Sequence, residues 1–345
     1  MADARRAQDN IRSLQTTGMN RLERRIGGVG VRSPIWLAPL AGVTTRTFRE
    51  FHRRLGAGLV HTEMISAIGL THGNKKTRDM IGDDDEPGPV ALQLFAPDGE
   101  ELVRGAGIAL GMRRFDVIEI NMACPMPKVT KRGSGAYLLE NPREAGRMVS
   151  ALKSLGLPVW VKLRKTSPQG TADFCRMLID SGTDLLILHG RTPAQRYDGA
   201  ADKEIVCRMA GMFPGMLAAS GDFYGPEDAG AYLGAGCVAV LAARGSLRDA
   251  FLIPKTLAAL GFEISEDIRK YVNPAPRDQL DAVISIGRAG SAREGERFAI
   301  VLARRMLAGM FKGFTGAGTL RQECAACKKW VDMEEFLTGQ NDIML

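Results

Sequence analysis

One stretch of this chain gathers reactive side chains at close spacing: Asn121-Met122-Ala123-Cys124-Pro125-Met126-Pro127-Lys128, running on through Lys131, Arg132, Gly133 and Gly135. Two prolines stiffen the backbone after the thiol, while three basic side chains and two glycines make the rest of the segment receptive to an anion. A thiol in that setting is placed to act on something negatively charged. The plain alternative, a small apolar Cys at a strand end, is equally open on these residues alone.

The elements that must position Cys124 can be read on both sides of it. Asp116 to Ile120 is a β-branched run with strand character, and Asn141-Pro142-Arg143-Glu144 reads as a helix start with Pro in the first turn. Cys124 therefore sits on a strand-to-helix loop. The same alternation recurs eight times before residue 245, with apolar runs at 35–40, 59–64, 90–95, 116–120, 158–163, 184–189, 215–220 and 237–242, each followed by a helical pattern. A helix is expected from Ile68 through Met80, another capped by Asp98, and another opened at Pro226. Eight βα units in roughly 215 residues predict an α/β fold with a closed (β/α)₈ TIM barrel. Neither G-x-G-x-x-G nor G-x-x-x-x-G-K-[ST] follows a strand, which weighs against an open dinucleotide-binding sheet. After about Gly261 the spacing of Phe298, Val301, Leu302, Met306 and Phe311 is helical. Three parts are expected: an N-terminal extension (1–33), the barrel (34–261) and a C-terminal helical domain (262–345).

Barrels of this kind place their active sites at the C-terminal ends of the strands. Gln93, Asn121, Cys124, Lys162, Arg164, His189, Ser220, Asp222 and Arg244 all fall at or just past the ends of apolar runs. Singly each reads as a cap or a rim salt bridge, but together they converge on one mouth. Ser220-Gly221-Asp222 and Arg244-Gly245-Ser246 follow the last two strands, where barrels hold phosphate groups on backbone N–H donors. A phosphate-bearing cofactor fits there, and Lys162 would place its charge beside a flavin ring.

Composition bounds the rest. The 345 residues carry a net charge of +7, six cysteines and four histidines. No apolar run reaches the length of a membrane span and Met1 to Asn20 is polar, so a cytoplasmic protein away from membranes is expected. Cys324 and Cys327 lack a second ligand pair, so no metal site is expected, and at helical spacing the two thiols would share a face. Arg288 to Lys329 holds nine Lys/Arg against three Asp/Glu, a local excess suited to an anionic partner.

The ordered motifs resemble the tRNA-dihydrouridine synthase family from about Pro34 to Leu320. They are Ala38-Pro39-Leu40-Ala41-Gly42-Val43-Thr44, Gln93-Leu94-Phe95, the Asn121 to Pro125 segment with Lys128-Val129 and Gly133-Ser134-Gly135-Ala136, Val161-Lys162-Leu163-Arg164, and His189-Gly190-Arg191-Thr192 with Gln195, Tyr197 and Gly199. Gly313 to Arg321 is similar to the segment of the family's helical domain that helps hold tRNA. The resemblance implies an FMN-dependent, NADPH-using reductase of particular tRNA uridines, expected to act as a monomer, with Cys124 as the acid that protonates C5. It implies FMN contacts from Pro39, Leu40, Ala41, Gln93, Lys162, His189, Ser220, Gly221, Asp222, Ala243 and Arg244. Substrate contacts would come from Asn121, Lys128, Lys131, Arg132 and Arg164.

This sequence departs from the family pattern in having Ala123 and Ala243 where Gly is usual, Ser220 where Asn is usual, and Lys203 where an aromatic is common. The departures concern cofactor affinity and substrate choice, because Cys124, Lys162 and His189 are retained. Two rival readings stay open: an FMN barrel reductase acting on a small molecule, and a tRNA-binding protein without catalysis.

Overall fold

A computed structural model describes residues 2–15, 24–312 and 316–340. Eight parallel strands form the barrel: β1 (Ile35–Leu37), β2 (Val60–His61), β3 (Val90–Phe95), β4 (Val117–Met122), β5 (Val159–Arg164), β6 (Leu185–His189), β7 (Leu217–Ser220) and β8 (Ala239–Ala242). Each pairs with the next. β8 returns to β1 through Val240 opposite Ile35 and Ala242 opposite Leu37, which closes the sheet.

Period-two alternation sorts the side chains of every strand. On β5, Val159, Val161 and Leu163 join the outer core under the helices, whereas Trp160 joins the barrel's inner core and Lys162 and Arg164 line its mouth. At the opposite end an antiparallel hairpin, Arg24–Ile26 with Val29–Val31, sends Ile26, Val29 and Val31 into the inner core. Trp36 and Trp160 stack there with ring centroids 5.1 Å apart, and Trp160 Nε1 donates to Gly27 O at 2.8 Å. The barrel is thus closed at its floor and open at its top. Residues 24–31, part of the segment set aside above as an extension, supply that floor.

Two local expectations change. The single helix expected from Ile68 to Met80 is two, Ala67–Thr71 and Lys75–Asp79. Gly73 takes φ +65° and the Asn74 side chain accepts from Thr77 N, restarting the helix. Cys324 and Cys327 do not share a helical face, since the helix Ala317–Ala326 ends before Cys327 and leaves one thiol buried and the other half-buried.

The C-terminal helices Pro276–Arg293, Glu296–Met310, Ala317–Ala326 and Trp330–Thr338 pack on the barrel near its mouth. Glu294 accepts from Thr47 N and Oγ1 at 3.0 and 2.8 Å, Arg293 pairs with Glu50 at 2.9 Å, and Arg305 donates to Gly42 O at 2.8 Å. Residues 313–315 of the segment similar to a tRNA-holding element lie outside the described residues. No described helix is long and apolar enough to cross a membrane.

Candidate active site

Parallel register sets the polar residues of neighbouring strands at matching heights. Asn121 stands opposite Lys162, Arg164 opposite His189, and His189 opposite Ser220. Above this ring lies a cavity of about 830 Å³. Pro39, Leu40 and Ala41 after β1, and Gln93 of β3, form part of its wall. Asn121, Cys124, Lys128 and Arg132 approach from the β4 side, and Lys162 and Arg164 from β5. His189, Ser220, Gly221, Asp222, Ala243 and Arg244 complete the circle. Of the site residues predicted from sequence, Lys131 alone falls off the wall; it is exposed on the adjoining loop.

The Cys124 loop is held by its backbone. Asn121 Oδ1 accepts from Ala123 N at 3.1 Å and Cys124 N at 2.9 Å, and Cys124 O accepts from Ala136 N at 3.0 Å. Gly135, at φ +64°, is required there because a Cβ would lie 2.6 Å from Cys124 O. Arg164 ties the loop to the segment after β6: its Nε donates to Ala123 O at 2.7 Å, and Nη1 donates to Thr192 O and Arg196 O. The Cys124 side chain is left half-buried at the cavity edge.

Burial drives the electrostatics. Lys162 is nearly buried and forms no hydrogen bond or ion pair among the described residues, so its ammonium faces the cavity. Burial lowers its pKa from 10.5 to about 8, opposed by the charge of Glu119. Burial, followed by Lys162 and three arginines, pushes His189 down to about 2, so this imidazole is neutral and acts as a hydrogen-bonding group. Asp222 behaves differently. Burial would raise its pKa, but hydrogen bonds from Arg191 and the charge of Arg244 hold it below the ordinary value. Its carboxylate accepts from Arg191 at 2.9 and 2.7 Å and from Arg244 at 3.0 Å, and so positions those guanidinium groups.

The turn after β7 is donor-rich. Gly221 (φ +114°) could not carry a side chain, whose Cβ would sit 2.6 Å from His189 Cδ2. The N–H groups of Gly221, Asp222 and Phe223 donate to no acceptor among the described residues. With Arg244 at the rim, they are suited to an anion. A ring system with a phosphate tail fits this arrangement, its phosphate at the 221–223 turn and Arg244, its ring beside Lys162.

Several contacts at the site were not anticipated from sequence. His61 and Glu119 form a pair inside the barrel, 3.0 Å apart and without exposure. The signal was available, since Glu119 is a carboxylate in an apolar strand and shares a face with Asn121 two residues on. Met64, Ser66, Asn74 and Thr77 also line the cavity, Asn74 and Thr77 at the helix start that follows the break at Gly73. Tyr197, more than half exposed, stands between Arg164 (5.6 Å) and Arg244 (5.2 Å) at the rim. Lys203, where an aromatic is common in the similar family, pairs with Asp228 outside the cavity wall.

Comparison with known proteins agrees with the geometry. Residues 36–343 match the family described as dihydrouridine synthase (Dus). The chain is 31% identical over 334 residues to a probable tRNA-dihydrouridine synthase of Mycobacterium tuberculosis H37Rv, covering 91% of this chain and 83% of the relative. It is 32% identical over 307 residues to probable tRNA-dihydrouridine synthase 1 of Synechocystis, covering 87% and 84%. Against tRNA-dihydrouridine synthase B of Pseudomonas aeruginosa it is 31% identical over 211 residues, covering 59% and 63%.

Proposed function

The chain belongs to the dihydrouridine synthase family, and from that premise we propose that it binds FMN at the barrel mouth and uses NADPH to reduce the C5–C6 double bond of specific tRNA uridines to 5,6-dihydrouridine. The observation that carries this proposal is the polarity of the cavity. Unpartnered donors, the Lys162 ammonium and the N–H groups of 221–223, line the same space as the Cys124 thiol, with Lys162 on the strand beside the one that leads into Cys124. FMN, when bound, supplies the hydride that reaches C6 of the base and is itself replenished by NADPH.

The residues of the chain do the remaining work. When FMN is bound, Lys162 would hold the electron-rich side of the ring by charge, and Gly221 to Phe223 with Arg244 would hold the phosphate. Cys124 Sγ–H delivers the proton to C5 as C6 receives the hydride, and the resulting thiolate recovers a proton from water. Arg164 and Asn121 keep the thiol in place through the backbone carbonyl and N–H groups they bind. Because C5 and C6 of a stacked uridine cannot reach a thiol inside a barrel mouth, the nucleotide is extruded, at a cost of a few kcal/mol. Lys128, Lys131 and Arg132 hold flanking phosphates, and the C-terminal helices contact the tRNA backbone. The enzyme acts as a cytoplasmic monomer.

The test is reconstitution. Purified protein with FMN and NADPH is given tRNA lacking dihydrouridine, and modified positions are mapped by mass spectrometry. Conversion of defined uridines is expected. Failure to take up FMN, or uptake with no conversion of any tRNA, overturns the proposal.

A further inference from the structure

Beneath the cavity a single file of hydrogen bonds runs from the barrel interior to the Cys124 loop. His61 Nδ1 lies 2.7 Å from Leu37 O, and His61 Nε2 lies 3.0 Å from Glu119 Oε2. Glu119 Oε1 accepts from Gln93 Nε2, Gln93 Oε1 accepts from Asn121 Nδ2 at 2.8 Å, and Asn121 Oδ1 accepts from Ala123 N and Cys124 N. All four side chains are buried, His61 and Glu119 completely.

The main chain fixes the direction of every bond. The N–H groups of Ala123 and Cys124 can only donate, so the Asn121 oxygen must face them and its amide nitrogen must face Gln93. Gln93 then has its oxygen committed and must donate to Glu119. From the other end, Leu37 O can only accept, so His61 carries its proton on Nδ1. The two chains of constraint meet at His61 Nε2 and Glu119 Oε2, which lie 3.0 Å apart and form no hydrogen bond to any other group among the described residues. A carboxylate is the group this junction needs: it accepts from Gln93 with one oxygen and meets the imidazole with the other. His61 is the group that meets its second oxygen, while the charge of Lys162 acts on it from the cavity side.

Resting on the functional reading above, we propose that Glu119, anchored by His61, is a positioning residue that sets the Cys124 loop from inside the barrel by fixing the orientation of Gln93 and Asn121. Neither Glu119 nor His61 touches the reacting atoms. Their effect is transmitted through the amide chain, since a Gln93 free to rotate would release Asn121 and with it the N–H groups of Ala123 and Cys124.

Alkylation of Cys124 by iodoacetamide, followed by peptide mass spectrometry on the full-length protein, reads loop order without any turnover. Cys327, between the last two C-terminal helices, is the internal reference. Glu119→Leu should raise Cys124 alkylation relative to Cys327 by about fivefold to tenfold, the worth of roughly one lost hydrogen bond. Glu119→Gln should bring it back to within about twofold of wild type, because an amide oxygen still accepts from Gln93. In tRNA assays Glu119→Leu should lower kcat with little change in KM. A folded Glu119→Leu protein alkylated at the wild-type rate overturns the inference, even where wild type reduces uridine normally. Should Glu119→Leu not fold, Gln93→Glu replaces the obligatory donor by a second carboxylate and must give the same rise; a wild-type rate there overturns the inference equally. A wild type that reduces no uridine, with the alkylation pattern as expected, removes the functional reading and leaves the positioning role supported.

Discussion

The barrel mouth and the C-terminal helices both look cationic, yet they handle their charges in opposite ways. At the mouth, Lys162 is desolvated and kept free of protein partners, and Arg244 is held at the rim by Asp222. Among the C-terminal helices, four of the nine basic residues between Arg288 and Lys329 are engaged in holding the fold. Arg288 pairs with Glu334, Arg293 with Glu50, Arg304 binds the carbonyls of Cys324, Ala325 and Cys327, and Arg305 binds Gly42 O. A local charge count therefore overstates how much of the helical region is available to an anion, whereas at the mouth a few charges, poorly solvated, weigh more. Arg297, Lys312, Arg321, Lys328 and Lys329 form no ion pair among the described residues and are the ones left for phosphate contacts.

Substitutions that separate the two regions follow in order of expected size. Gly221→Val should weaken FMN uptake by on the order of 10²-fold, since it combines strain at positive φ with a clash against His189; titration with FMN by fluorescence quenching measures it. An effect of similar size, of opposite sign for stability and binding, is expected at Lys162. Its pKa falls from 10.5 to about 8 on folding, so the unfolded chain binds more protons between those values and stability rises with pH across that window. Lys162→Met should stabilise the flavin-free protein at pH 7 by up to about 3 kcal/mol, a gain that disappears above pH 10.5, while weakening FMN binding. In wild type FMN affinity should fall as pH rises through about 8, and in the Met variant it should not. Denaturant melts and FMN titrations across pH read both.

In the helical region the two groups of arginines should part. Arg304→Gln should cost about 1–3 kcal/mol of stability through its lost carbonyl bonds. Arg321→Gln should leave stability unchanged within about 0.5 kcal/mol. In tRNA binding Arg321→Gln should reduce the salt slope by about one. Equal effects of the two substitutions on melting would erase the distinction between structural and available cations.

The barrel was legible in the sequence because period-two alternation and Gly/Pro punctuation are local signals, and polar residues at strand ends mark the mouth without any knowledge of the fold. Nearly all of the expected site residues line the cavity for that reason. Less legible was what each polar group faces. Asp222 reads as an anion ligand until Arg191 and Arg244 are seen to occupy its carboxylate, and Arg164 reads as a substrate contact until its bonds to Ala123, Thr192 and Arg196 are seen. The His61–Glu119 pair joins strands 58 residues apart in sequence, a relation that no local pattern encodes. The helix break at Gly73 depends on a single left-handed residue inside an otherwise helical pattern.

The role of Cys124 is tested most directly by a single turnover. Protein with its flavin reduced beforehand is mixed with unmodified tRNA in the absence of NADPH, and flavin reoxidation is followed together with dihydrouridine formed. Cys124→Ala should bind FMN and tRNA as wild type does, but reduce uridine about 10² to 10⁴ times more slowly, the usual worth of a positioned general acid. Cys124→Ser should stay close to the Ala variant, since a hydroxyl is a far weaker acid than a thiol. Reduction of uridine by Cys124→Ala at the wild-type rate would contradict the assignment and leave Cys124 as a thiol that only packs at a strand end.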